Sequence, residues 1–232
     1  MTALETRPRG RRERRFRRSR GRRRFPAAVL VLVPAGLLVL ALILWQAGRG
    51  LPGEGVAVPD YVTADFLPVN EWSRPGTPLE EINGVVIHYV GNPGTSAEAN
   101  RNYFASLASG ELETYASSHF IVGLEGEAVQ CIPLTEQAYA TPGRNADTVA
   151  VEVCHPDESG EFSPVTYDRA VELTAWLCRT FRLDPETEVT RHYDATEKLC
   201  PLYYVEHPEA WDQFRADVAE EMAAQRQAEK NS

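Results

Sequence analysis

Five residues of this chain are of types that do metal and proton-transfer chemistry, and they fall in three short stretches. Arg191-His192-Tyr193-Asp194-Ala195-Thr196-Glu197-Lys198-Leu199-Cys200-Pro201 brings a histidine, a lysine and a cysteine close together. Val85-Val86-Ile87-His88-Tyr89-Val90-Gly91 sets a second histidine at the end of an apolar, β-branched run. Two neutral imidazoles and one thiolate, His88, His192 and Cys200, make a three-ligand zinc set. Such a set leaves the fourth tetrahedral position open to water, which a catalytic zinc requires and a closed structural site lacks. Zinc also keeps a cysteine deprotonated and occupied. Lys198, two residues before Cys200, places a cation beside the metal. Glu152 interrupts the apolar stretch Thr148-Val149-Ala150-Val151-Glu152-Val153-Cys154, where a carboxylate is costly unless it is paired or functional.

In this order and spacing the residues resemble the zinc site of the N-acetylmuramoyl-L-alanine amidases of the phage-lysozyme and peptidoglycan-recognition type. The resemblance runs over roughly residues 78 to 218. It implies a bacterial peptidoglycan substrate, cleaved at the amide between the lactyl group of N-acetylmuramic acid and L-alanine. In one branch of that family a strand like 148–154 carries the catalytic glutamate. Glu152 then takes a proton from the attacking water and later delivers one to the leaving amine. Lys198 and the zinc share the charge that develops on the scissile carbonyl. Some members have a tyrosine before the histidine of Ser118-His119-Phe120. Here the residue is Ser118, which favours the glutamate-using branch and leaves His119 as a packing residue or a support to the ligands. His155 and His207 each precede a proline and read as surface loop residues. Two other functions share these features: a non-catalytic peptidoglycan-recognition domain, which usually loses a ligand, and a zinc hydrolase of a different amide.

The net charge of −9 averages two unlike parts. Residues 1–24 hold 12 arginines and only Glu5 and Glu13; removing them from totals of 24 basic and 33 acidic leaves 12 and 31, a net −19. Between tail and acidic part, residues 26–45 carry no charge and are mostly Ala, Val and Leu. As a helix this run is about 30 Å long, enough to cross a bilayer core. Pro26 suits its first turn, Pro34 is tolerated inside a membrane helix, and Trp45 suits an interface. The arginines hold the N-terminus in the cytoplasm, so the remainder is expected outside the cell membrane, and the basic block reads as topology rather than a nucleic-acid arm. A cleaved signal peptide would have a shorter core and a small residue where Trp45 stands. With Cys200 on zinc, Cys131, Cys154 and Cys178 remain, and an odd number cannot all pair. Cys178 falls in an expected helix as a small hydrophobe, and a disulfide among the others stays open.

The expected organisation is a basic tail over 1–25, a transmembrane helix over 26–46, a Gly- and Pro-rich linker over 47–75, a catalytic domain over 76–222 and a polar, fraying tail over 223–232. Within the domain the apolar pattern predicts strands over 85–90, 118–122, 128–132, 148–154 and 189–191, the second and third forming a hairpin. It predicts helices over 97–108 capped by Ser96, over 167–181 capped by Thr166, and one opened by Pro208 with Trp211, Phe214, Val218 and Met222 on one stripe. Strands interleaved with helices predict an α/β domain with a mixed central sheet flanked by helices. Oligomeric state is not encoded in these patterns.

Overall fold

A computed structural model describes residues 50–231. The expected basic tail and transmembrane helix lie outside those residues. Among the described residues no helix is long and apolar enough to cross a membrane.

One six-stranded sheet organises the domain. Its strands are β1 (Val62–Ala64), β2 (Val85–Tyr89), β3 (Phe120–Val122), β4 (Ala128–Gln130), β5 (Val149–Val153) and β6 (Val189–Arg191), in spatial order β1-β4-β3-β5-β2-β6. The β3/β4 hairpin is antiparallel and every other pairing is parallel. The two longest strands, β2 and β5, lie inside the sheet and are valine-rich because a parallel strand is covered on both faces.

Alternation along the strands separates two layers. Val85, Ile87, Val149, Val151, Val153, Phe120 and Val122 pack on one face beneath the helices α2 (Pro164–Phe181) and α6 (Pro208–Asn231). The stripe of α6 is the expected one, with Trp211, Phe214, Val218 and Met222 buried. The other face carries Ile121, Cys131, Ile132 and Cys154 against Ala97 and Phe104 of α1 (Ala97–Ser106), and leaves room for a cleft. All four cysteines are buried free thiols.

Three sequence expectations are corrected here. Residues 50–75 of the expected linker are not bare spacer: they supply β1, parallel to β4, and Leu67, which is fully buried. Arg74 fastens them further, donating to both carboxylate oxygens of Glu136 at 2.8 and 2.7 Å and to the Leu67 carbonyl. β1 is three residues long with one inward residue, Val62, too short for any periodicity to show. The long helix α2 begins at Pro164 and is capped by Ser163, whose Oγ accepts from Thr166 N–H at 3.3 Å. Proline in the first turn starts the helix earlier, and the Thr166 hydroxyl instead donates to the Gly123 carbonyl. The polar tail is helical to Asn231, tied to α2 by Gln225 on the Glu172 carbonyl and by the Arg179–Glu229 ion pair.

Candidate metal centre and cleft

The parallel register of β2 and β5 sets His88 directly beside Glu152. Both side chains point away from the helical layer. β6 then delivers His192 as the first residue of a short helix, α4 (His192–Thr196). Asp194 closes its N-terminus, accepting from the Arg191 N–H at 2.8 Å and pairing with the Arg191 guanidinium at 2.6 Å. Glu197 turns the chain in the left-handed region at φ 63°, and the strand of residues behind it returns so that Tyr193 N–H donates to the Cys200 carbonyl at 3.0 Å. A loop, not a helix face, thus bridges the eight positions between His192 and Cys200.

The three expected ligands meet. Their donor atoms all lie within 4.8 Å of one another, and all three side chains are buried. Cys200 Sγ is 3.8 Å from His88 Nδ1, and the two imidazole rings are 4.7 Å apart at 60°. The other nitrogen of His88, Nε2, sits 3.0 Å from the hydroxyl of buried Thr141. With Nδ1 turned to the site, Nε2 carries the proton and donates to Thr141, a bond of the kind that fixes tautomer and ring angle in metal-binding histidines. Two Asn145 contacts hold the Thr141 loop: its side-chain oxygen accepts from Ala140 and Thr141 N–H at 3.1 and 2.7 Å.

The electrostatics fit a dication. Burial, then His192 and Lys198, press His88 well below the ordinary histidine value. Burial and Lys198 press His192 to about 4, so both rings are neutral, as ligands must be. Burial, with Glu152 adding, pushes the Cys200 thiol up to about 12, so a cation is what would make it a thiolate. His192 Nδ1 is buried with no hydrogen-bond partner, and an orphaned buried nitrogen costs roughly 1–3 kcal/mol. A metal ligated here removes that cost.

Glu152 is half-buried, and its Oε2 has no partner. Burial pushes its carboxyl up to about 8, with Lys198 opposing. His88, His192, Glu152 and the exposed Lys198 all line one cleft of about 570 Å³. A cavity of about 580 Å³ beneath Phe162, Tyr167, Tyr203 and Tyr204 contains none of these groups.

The remaining histidines divide. His119 is fully buried; its Nδ1 accepts from Ala150 N–H at 3.0 Å and its Nε2 donates to the Glu136 carbonyl at 2.9 Å, so it is a packing residue that ties β3 to β5. The Ser118 hydroxyl donates to the Phe120 carbonyl, away from the cleft chemistry. His207 is half-exposed, as expected. His155 is not a surface residue: it is 1% exposed, its ring stacks 5.0 Å from that of Tyr89, and Nδ1 contacts the Asp157 carbonyl at 2.7 Å. The loop after it folds back over the sheet end, which a following proline does not reveal. Thr141 and Asn145 escaped sequence reading; the turn-prone Thr141-Pro142-Gly143 was the available signal.

The chain is similar to known proteins over most of this domain. The family model described as N-acetylmuramoyl-L-alanine amidase matches residues 78–202. The N-acetylmuramoyl-L-alanine amidase BlyA of Bacillus subtilis (strain 168) is 32% identical over 181 residues, 69% of this chain and 47% of BlyA. CwlL of Bacillus licheniformis, an amidase of the same name, is 32% identical over 169 residues, 68% of this chain and 46% of CwlL. The chain therefore spans about half the length of these relatives. Among solved structures, the catalytic domain of XlyA superposes with a TM-score of 0.56 at 25% identity, covering 68% of this chain and 98% of that domain. A mutant endolysin from Bacillus subtilis shares the fold with a TM-score of 0.57 at 24% identity, covering 68% of this chain and 97% of that one. The family match contains His88, Glu152, His192, Lys198 and Cys200 and takes in more than half of the chain, so this protein belongs to the N-acetylmuramoyl-L-alanine amidase family.

Proposed function

We propose that the chain is a zinc-dependent peptidoglycan amidase that hydrolyses the bond between N-acetylmuramic acid and L-alanine. The observation that carries this is the convergence of His88, His192 and Cys200 beside Glu152 on the floor of one cleft. Zinc held by those three residues would supply Lewis acidity and a more acidic water. Burial raises the Glu152 carboxyl to about 8, and a cation held by the three ligands would lower it again, towards the range of a group that accepts a proton from water and passes it to the departing amine. Lys198, at the cleft rim, presents its ammonium to the carbonyl oxygen as charge builds there. Asp194 is committed to Arg191 and is a poor rival base.

Purified full-length protein is incubated with cell wall, and new L-alanine N-termini are measured beside metal content. Wild type releases them and holds one zinc per chain. Glu152→Gln keeps the zinc and the fold and loses about 10²–10⁴-fold in rate. Cys200→Ser loses stoichiometric zinc and activity together. Full zinc in Cys200→Ser rejects the ligand set, and near wild-type digestion by Glu152→Gln rejects the base. Binding to wall without cleavage by wild type makes the chain a recognition module instead.

A further inference from the structure

The cleft has a second wall that takes no part in metal or proton chemistry. It is aromatic, and three separate segments build it. Trp72 comes from the stretch before β2, Tyr115 from the loop after α1, and Tyr139 from the loop after β4. The Tyr115 ring lies 4.7 Å from that of Trp72 at 32°, and Tyr139 meets Tyr115 edge-on at 5.4 Å and 81°. Tyr115 is 51% exposed, and both tyrosines line the cleft that holds Glu152 and the metal-site histidines.

The plate is held in place before any ligand arrives. The Asn70 side-chain oxygen accepts from Trp72 and Ser73 N–H at 2.8 Å each. Ala116 N–H donates to the Trp72 carbonyl at 3.2 Å, and the Tyr115 hydroxyl donates to Glu71 at 3.2 Å. Ser117 and Tyr139 exchange two bonds: Ser117 N–H on the Tyr139 carbonyl at 3.0 Å, and Tyr139 N–H on Ser117 Oγ at 2.9 Å. Gly110, at φ 73°, lets the loop lie on the indole, since a Cβ there would stand 2.9 Å from Trp72 Nε1. A rigid ring loses little entropy on binding, so its contact area goes into affinity.

We infer that Tyr115, backed by Trp72 and flanked by Tyr139, is a glycan subsite that stacks on a sugar ring of the peptidoglycan strand next to the bond being cut. The inference rests on the proposed amidase reading. The negative face of an aromatic ring attracts the positively polarised C–H groups on the flat side of a pyranose. The surrounding charge selects the ligand class: Glu71 contacts the tyrosine itself, and Glu111 and Glu113 belong to the same loop. An anionic polymer is repelled there, whereas a neutral sugar presents hydroxyls that donate to carboxylates. The stem peptide carries carboxylates of its own, which suit Lys198 better than this wall.

The test uses the full chain and a peptide-free tetrasaccharide of alternating N-acetylglucosamine and N-acetylmuramic acid whose lactyl carboxyls are capped as primary amides, so that the probe is uncharged and offers no muramyl–alanine bond to cut. Binding is followed by calorimetry. Wild type binds saturably, Tyr115→Phe binds within a few-fold, and Tyr115→Ala and Tyr115→Leu each weaken by about tenfold. The leucine variant keeps apolar bulk without a flat ring, so wild-type binding by it overturns stacking. Absence of tetrasaccharide binding to wild type overturns the subsite. Tyr115-dependent binding of a free stem peptide, without the sugar, makes the wall a peptide subsite and also overturns it. On whole wall, Tyr115→Ala raises KM and leaves kcat in place, while Glu152→Gln does the reverse. Release of L-alanine N-termini by wild type judges the amidase reading independently of these outcomes.

Discussion

At the scale of single residues, a threonine with no catalytic chemistry orients His88, the first of the proposed ligands. The Thr141 hydroxyl faces His88 Nε2 at 3.0 Å and leaves Nδ1 for the metal. Thr141→Val keeps the shape and removes the acceptor, so zinc affinity, read by chelator competition, is expected to fall by about 10- to 100-fold. Thr141→Ser restores most of it. Equal affinity in all three proteins would show that ring packing alone orients His88. The proposed ligands could be picked out in the sequence by residue type and order, and the fold brings the three side chains together. Thr141 could not be, because hydroxyls next to a Pro-Gly turn occur throughout loops and only the fold brings this one to the histidine.

At the scale of elements, the strands that hold the site depend on a buried histidine staying neutral. Burial holds His119 at about 4, below its ordinary 6.5, while its Nδ1 accepts from β5 and its Nε2 donates to Glu136. The unfolded chain takes up a proton near pH 6.5 and the folded one only near 4. Stability from this residue is therefore complete above 6.5 and drains as pH falls from 6.5 towards 4. A shift of that size is worth roughly 3 kcal/mol. His88 and His192 move the same way without metal, so the comparison is a difference: chelator-treated His119→Gln melts lower than wild type at pH 7.5 but declines less steeply towards pH 4. Parallel decline of the two proteins would refute it. Strands β2 and β5 and the last helix were readable because their apolar residues repeat over five or more positions, and the hairpin because two apolar runs flank the turn Leu124-Glu125-Gly126-Glu127. The Ser163 cap was obscured by two threonine and serine candidates three residues apart, and only the buried partner of Thr166 decides between them.

At the scale of the whole molecule, the acidic domain stands behind an arginine-rich, apolar N-terminus, and we propose that this segment anchors it with the cleft outside. Protease added to intact cells is expected to remove the domain while an epitope on residues 1–25 survives. A soluble mature form beginning near Ala47 would sink the anchor. The stretch before β2 was misread because its glycines and prolines look like spacer, although it contributes an edge strand, a buried leucine and the tryptophan behind the aromatic wall. The distance along the chain between the first and last ligands has a bearing on biosynthesis. His88 and Cys200 are 112 positions apart, and synthesis runs from the N-terminus. A nascent or truncated chain that stops short of residue 200 already owns a histidine and the cleft glutamate, yet lacks the sulfur. Under the proposed ligand set such a copy cannot complete its metal centre, so hydrolysis would switch on only once synthesis has passed residue 200.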